Sequence, residues 1–257
     1  ERIMSNARAA PDPFSRPFAW SFSQLKNFEV CPKRHYHVDK MRDVKEEESQ
    51  ALQWGNYLHD KFAGAIGSDD NKQRHPNDMI EEAPLPDTLV QYQPLVDRFH
   101  TARQRGAKVY AELSLALTRD FTPTTWFGNN VWFRAKVDVQ VMTGDFRFAM
   151  STDWKTGKRL TETPQLEMTA ITLMSRMPSI EAVKTEYVWL NEFVATDPFR
   201  CVDPHTYTRA MIPDMWSRIG PRVALLEKAY NERNYPPKPG GLCRKWCPVR
   251  QCEHHGK

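Results

Sequence analysis

Asp153 and Lys155 stand two residues apart in a run rich in apolar and small residues that begins near Phe146. In an extended strand that spacing sends both side chains from one face, a carboxylate beside an ammonium. Asp138 lies in the preceding run, where Val131, Phe133, Ala135, Val137, Val139 and Val141 alternate with Trp132, Arg134, Lys136, Asp138 and Gln140. Between the runs, Thr143-Gly144-Asp145 predicts a tight turn. With that turn centred on Gly144, Asp138 falls opposite Ser151 and becomes a diagonal neighbour of Asp153, about 7–8 Å away at the backbone. Two carboxylates on one face repel, and a hard divalent cation relieves the repulsion. Such a cation acidifies water and offsets charge on a phosphoryl oxygen. A lysine alongside adds fixed positive charge where a phosphate would sit. The chemistry implied is hydrolysis of a phosphate ester. An isolated Asp–Lys pair is most often a solvated strand face; the second Asp at matching parity raises this one above that.

In its wider context the motif reads Asp138, a hairpin, then Asp153-Trp154-Lys155-Thr156-Gly157-Lys158. This resembles the PD-(D/E)XK nuclease superfamily, particularly the RecB-type exonucleases and the single-domain CRISPR-adaptation nucleases. The resemblance runs from Ser21 to the C-terminus and is most specific over 131–165. It implies a restriction-endonuclease-like core, Mg²⁺ or Mn²⁺ as cofactor, and DNA as substrate. It also implies His59, set in Gly55-Asn56-Tyr57-Leu58-His59, as a metal ligand together with Asp138 and Asp153. Lys155 would assist the attacking water and Gln165 would help place the substrate. The group usually has a Tyr four residues after this Gln, where the present chain has Thr169. Glu112, on the polar face of an earlier strand, is an auxiliary carboxylate, weighed evenly against an ordinary exposed glutamate. The activity expected is exonucleolytic hydrolysis at DNA ends, with recombination or repair proteins as possible partners. A non-catalytic DNA-binding or recombination-accessory module is the alternative, and RNA is not excluded as substrate.

Five cysteines are spread unevenly: Cys31, Cys201, then Cys243, Cys247 and Cys252. One distant cysteine and three near the end resemble the layout with which related nucleases hold a [4Fe–4S] cluster. Four thiolates suit one cubane. Zinc is the alternative, with His254 and His255 close by in sequence. Cys201 has no partner by spacing and reads as a core residue.

These residues need a scaffold, and the sequence outlines one. Its 257 residues are 40% hydrophobic with a net charge of +4, enough for a real core and too mild a charge to demand a polyanion. No run approaches the roughly 18 apolar residues of a membrane span, and the cysteine pattern fits a reducing, cytoplasmic setting, bacterial or phage-encoded. Capping and periodicity predict a helix from Ser21 to Cys31, a second over 50–66 ended by Gly67, and a third over 89–106. Period-two alternation predicts strands over 109–117, 131–141 and 146–155, the last with Phe146, Phe148, Met150 and Thr152 inward. A helix opens at Thr163-Pro164, a strand covers 182–190, and a helical region from Thr206 to Asn231 is interrupted near Pro213 and Gly220-Pro221. The fold class is therefore α/β, with a mixed central sheet (an antiparallel three-strand meander, a helix, a further strand) flanked by helices. Residues 1–20 read as a flexible tail and 21–257 as one domain with a cysteine-rich segment at 241–255. Lys158 and Arg159 near the site, Arg98, Arg103, Arg105 and Lys108 along a helix and its end, and Trp126, Phe127 and Trp132 are weaker nucleic-acid candidates.

Overall fold

The computed structural model describes residues 12–257, and these divide into two compact units, residues 12–47 with Val223–Lys257, and Glu48–Arg222. The smaller unit opens with β1 (Trp20–Ser21), α1 (Phe22–Val30) and α2 (Pro32–His35). Ser21 caps α1, its hydroxyl accepting the Gln24 N–H. Part of the stretch read as a tail is packed: Phe18 and Trp20 are buried, and Phe14 lies 5.1 Å from the Tyr230 ring. Aromatic side chains close together in sequence found a core of their own there. Residues 1–11, the rest of that stretch, lie outside the described residues.

The larger unit carries α3 (Gln50–Ile66), α4 (Gln93–Gln104), β2 (Lys108–Leu117), β3 (Pro123–Thr124), β4 (Phe133–Met142), β5 (Phe148–Lys155), α5 (Pro164–Arg176), β6 (Ala182–Trp189) and β7 (Val202–Thr208). The helix α6 (Ile212–Glu232) begins in this unit and ends in the smaller one. Six strands lie in the order β3-β2-β4-β5-β6-β7. β2, β4 and β5 form the antiparallel meander, β6 joins β5 in parallel after the α5 crossover, and β7 pairs antiparallel at the end. This is a mixed α/β sheet with flanking helices, the restriction-endonuclease-like fold class.

Ser49 caps α3 by accepting the Leu52 N–H, and Gly67, at φ +68°, ends it. Leu58, Phe62 and Ile66 recur at helical spacing and meet Val109, Ala111, Val139 and Trp154 of the sheet, with Leu95 and Phe99 of α4 in the same core. Each such side chain fully buried contributes about 1.5–3 kcal/mol. The opposite face of the sheet, bearing Asp153 and Tyr207, is covered by α5, whose Gln165 reaches Asp153 and whose Glu167 lies in the field of Tyr207.

Three further sequence expectations differ. The β4–β5 pairs are Val139–Thr152, Gln140–Ser151 and Met142–Ala149, so Gln140 rather than Asp138 faces Ser151. The turn centres on Asp145-Phe146, where Phe146 takes φ +56° and its N–H bonds to the Thr143 carbonyl. A two-residue register shift preserves which face each side chain occupies. Phe146 and Phe148, expected inside, are exposed because they lie at this turn, beyond the covering helices. The third difference is C-terminal. Residues 202–208 form a strand, and α6 runs unbroken through Pro221 on a buried stripe of Met215, Ile219, Val223 and Leu226. That burial outweighs the one backbone hydrogen bond a helix loses at proline.

Candidate active site

The site forms where the β4–β5 ladder ends. Beyond Val139–Thr152, the Asp138 carboxylate accepts the Trp154 N–H at 2.8 Å, replacing a backbone acceptor with a side chain. Continuing the registers sets Glu112 of β2 opposite Asp138, and Asp138 opposite Asp153, so three acids form a row across one face. Glu112 itself takes φ +49°, a left-handed backbone that a non-glycine residue adopts only under constraint. Such local strain concentrates where a side chain must be aimed.

His59 comes to this row from α3. Its Nε2 donates to the Trp154 carbonyl at 3.2 Å, which leaves Nδ1 facing Asp138 Oδ1 at 3.4 Å and Glu112 Oε1 at 4.0 Å. The approach depends on Gly55, one helical turn earlier on the same face. A Cβ there would lie 3.2 Å from the Thr156 Oγ1, a contact that a larger residue makes only if that hydroxyl or the helix gives by a few tenths of an ångström. The Gly55 and His59 spacing is thus one close contact and the side chain that it delivers.

One donor atom each from His59, Glu112 and Asp138 lies within 4.8 Å of the others, a set suited to one hard or borderline divalent cation. Asp153 is outside this triad. Its carboxylate takes the Lys155 ammonium at 2.7 Å on one oxygen and the Gln165 amide on the other, while Lys155 also donates to Gln165 Oε1 at 3.1 Å. Asp153, Lys155 and Gln165 therefore form a closed hydrogen-bonded ring beside the triad. The structure brings all six sequence candidates for the metal and catalytic roles into one place.

The electrostatics show excess negative charge. Burial, then the neighbouring Asp138 charge, pushes Asp153 up to about 6. Burial also raises Glu112, and the Lys136 ammonium at 2.7 Å only partly offsets it. Burial disfavours charge on His59, yet the Asp138 hydrogen bond and the charges of Asp138, Glu112 and Asp153 outweigh it and raise its pKa. A cluster that holds its protons in this way exchanges them for a cation.

Other candidates go elsewhere. Arg98 pairs with the buried Glu186 at 2.6 Å and Arg103 with Asp69 at 2.9 Å, so both serve internal structure. Arg159 is tied to Glu192 and Asp203. Trp132 is buried against Phe121 and Trp216, whereas Phe127 is exposed. Thr169 donates to the Gln165 carbonyl within α5. Cys201 is fully buried in the core of the larger unit. Sequence reasoning missed the Trp154 main chain, which serves both His59 and Asp138. It also missed Tyr187, paired with Asp153 on β6, whose ring lies 5.2 Å below the Lys155 ammonium. An aromatic residue in a buried strand carries no sign of such a role.

The model of the PD-(D/E)XK nuclease superfamily matches residues 19–252. The chain belongs to that superfamily. The match spans the acidic residues, the lysine and the cysteines alike, so the nuclease reading rests on the chain as a whole. Two solved structures are similar at low identity. One is a Eubacterium rectale protein named "Putative exonuclease" (12% identity, TM-score 0.45), with 98% of this chain and 92% of that one covered. The other is SSO0001 (12% identity, TM-score 0.38), with 92% and 87% covered. No curated protein sequence matches the chain. Among the described residues no helix is long and apolar enough to cross a membrane.

In the smaller unit, Cys31, Cys243, Cys247 and Cys252 line one cavity of about 220 Å³. Backbone N–H groups of Lys238 and Gly240 donate to the Cys31 and Cys243 sulfurs, each at 3.4 Å.

Proposed function

We propose that this nuclease is a Mg²⁺- or Mn²⁺-dependent deoxyribonuclease that removes nucleotides from DNA ends. The observation that carries the reading is the meeting of His59, Glu112 and Asp138 beside the Asp153–Lys155–Gln165 ring. A divalent cation bound by these residues supplies Lewis-acid stabilisation of the phosphate and a more acidic water. The chain's own groups do the rest. Trp154 O fixes the His59 ring with Nδ1 toward the acids, as an outer hydrogen bond orients a metal-binding histidine. Asp153 is the further carboxylate available to the cation once its proton leaves. Lys155, held between Asp153 and Gln165 and over Tyr187, keeps positive charge where the scissile phosphate arrives and orients the attacking water. Gln165 places the substrate, and its amide keeps Asp153 and Lys155 in register. Action at ends follows the likeness of the motifs to RecB-type exonucleases.

We propose that Cys31, Cys243, Cys247 and Cys252 hold a [4Fe–4S] cluster. Four thiolates around one cavity satisfy the ligand count of a cubane or of tetrahedral zinc, and the likeness of the cysteine layout to that of related nucleases favours the cubane. The N–H···S contacts from Lys238 and Gly240 suit the thiolates of a cubane. Iron and sulfide in the purified protein, without zinc, is the expected analysis; stoichiometric zinc would replace the cluster in this reading. The activity is tested with end-labelled linear DNA and closed circles in Mg²⁺, Mn²⁺ or EDTA. Metal-dependent loss of linear DNA with intact circles is expected. Cleavage of circles would overturn the requirement for ends, and absence of any cleavage would overturn the enzyme.

A further inference from the structure

Cys243 and Cys247 both face the cavity, and the three residues between them therefore turn outward. These are Arg244, Lys245 and Trp246, all exposed, with Trp246 78% accessible. A tryptophan this open is unusual, since its ring is among the largest apolar surfaces a fold can bury. The loop that presents it is ordered by backbone bonds: Cys243 N–H to Gly240 O, Trp246 and Cys247 N–H to Leu242 O, and Gly256 N–H to Cys243 O, all 2.8–3.0 Å. Arg244 and Lys245 have no hydrogen-bond or ion-pair partner among the described residues. From Lys238 onward the charged side chains are Lys238, Arg244, Lys245, Arg250 and Lys257 against Glu253. Glu253 is already neutralised by Lys33 at 2.5 Å. Arg250 lies 3.9 Å from Glu47, which leaves Arg244 and Lys245 as the cations of this loop without a partner among the described residues.

We propose that this loop is a contact surface for an unpaired DNA strand, with Trp246 stacked on a base and Arg244 and Lys245 on the flanking phosphates. The inference rests on the nuclease reading above and adds to it a substrate form and a place of contact. An open indole face between two free cations matches the alternation of base and phosphate along a single strand. In a duplex the base faces are already stacked and closed to an indole. A lipid surface would need a broader apolar face than Trp246 and the partly exposed Leu242 provide.

The test is anisotropy of a fluorescein-labelled oligo-dT strand and a blunt duplex with the full chain in EDTA, where cleavage is suppressed. Trp246→Ala should weaken single-strand binding on the order of tenfold and duplex binding much less, while Trp246→Phe retains most of the affinity. The double variant Arg244→Gln/Lys245→Gln should flatten the dependence of log K on log salt by about 1.4 for the single strand. Trp246→Ala binding within about twofold of wild type, or an unchanged salt slope in the double variant, overturns the proposal. If Trp246→Ala proves misfolded by near-ultraviolet circular dichroism, Trp246→Phe and the charge variant still decide the matter. Trp246-dependent sedimentation with anionic vesicles, with oligonucleotide binding unaffected, also overturns it. A wild-type protein that neither binds nor cleaves any DNA refutes the nuclease reading itself, whereas cleavage with Trp246-independent binding refutes this proposal alone.

Discussion

Gly55→Ala should make the protein a poorer enzyme. A glycine inside a helix costs about 0.5–1 kcal/mol relative to alanine, worth roughly 1–4 °C of Tm at this size, and the tight contact at this position works against that gain. The new Cβ, however, would sit 3.2 Å from the Thr156 Oγ1. Ordinary contact requires a retreat of about 0.2–0.5 Å. Helix α3 carries His59 with it, and the Nε2 bond to the Trp154 carbonyl, 3.2 Å at present, reaches the limit of a hydrogen bond. If a displacement of about 1 Å costs roughly a hundredfold in rate, this retreat costs about 3–10-fold. Gly55→Val, with a branched side chain at the same contact, should lose more. The assay pairs thermal unfolding in EDTA with initial cleavage rates over a range of Mg²⁺ concentrations. Thr156→Ala removes the opposing oxygen, so the double variant Gly55→Ala/Thr156→Ala should recover most of the rate and show coupling between the sites. A Gly55→Ala protein with full activity at every Mg²⁺ concentration would refute the claim that this contact positions His59.

Lys155→Ala should lower kcat on the order of 10²–10³-fold with an unchanged circular dichroism spectrum; a loss below about tenfold would remove it from the chemistry. Glu112→Gln should weaken Mg²⁺ affinity by more than the 10–100-fold typical of losing an outer hydrogen-bond partner, read from the Mg²⁺ dependence of cleavage. Unchanged affinity would exclude it from the triad. With Asp153 pushed up to about 6, the ionised site is lost as pH falls through that value. Activity at limiting Mg²⁺ should therefore drop below about pH 6, and the fall should move to lower pH at saturating Mg²⁺, because cation and proton compete. An acid limb that ignores Mg²⁺ concentration would contradict this competition. Asp153→Asn should raise Tm of the metal-free protein above pH 6, since a carboxylate whose pKa is raised on folding is a cost to the fold at that pH. A lower Tm would mean that the Lys155 pair outweighs the burial.

Much of the site could be read from residue order because strand parity survives errors of register. Asp138 was placed opposite Ser151 and lies two positions away, yet it remains on the face of Asp153 and Lys155, since side chains alternate with a period of two. The strand at 202–208 was not legible. Its Pro204 and its polar residues suit an edge strand, and edge strands lack the apolar alternation that marks the others. The unbroken course of α6 through Pro221 was hidden for a related reason, because the burial that sustains it depends on partners distant in sequence.

What the residue order determined alone is the list of reacting groups and the elements that carry them. These are His59 four residues after a glycine on a helix, Asp138 and Asp153 on successive strands, and Lys155 beside Asp153. Tertiary structure decided how those groups combine. Glu112 joins His59 and Asp138 because three segments converge and its own backbone is held at φ +49°. Asp153 turns instead to Lys155 and Gln165, once the α5 crossover has laid Gln165 over that face. Periodicity is a property of neighbouring residues and is written in the chain. A choice of partner among several carboxylates turns on differences of an ångström between distant segments, and only the packed fold sets those distances.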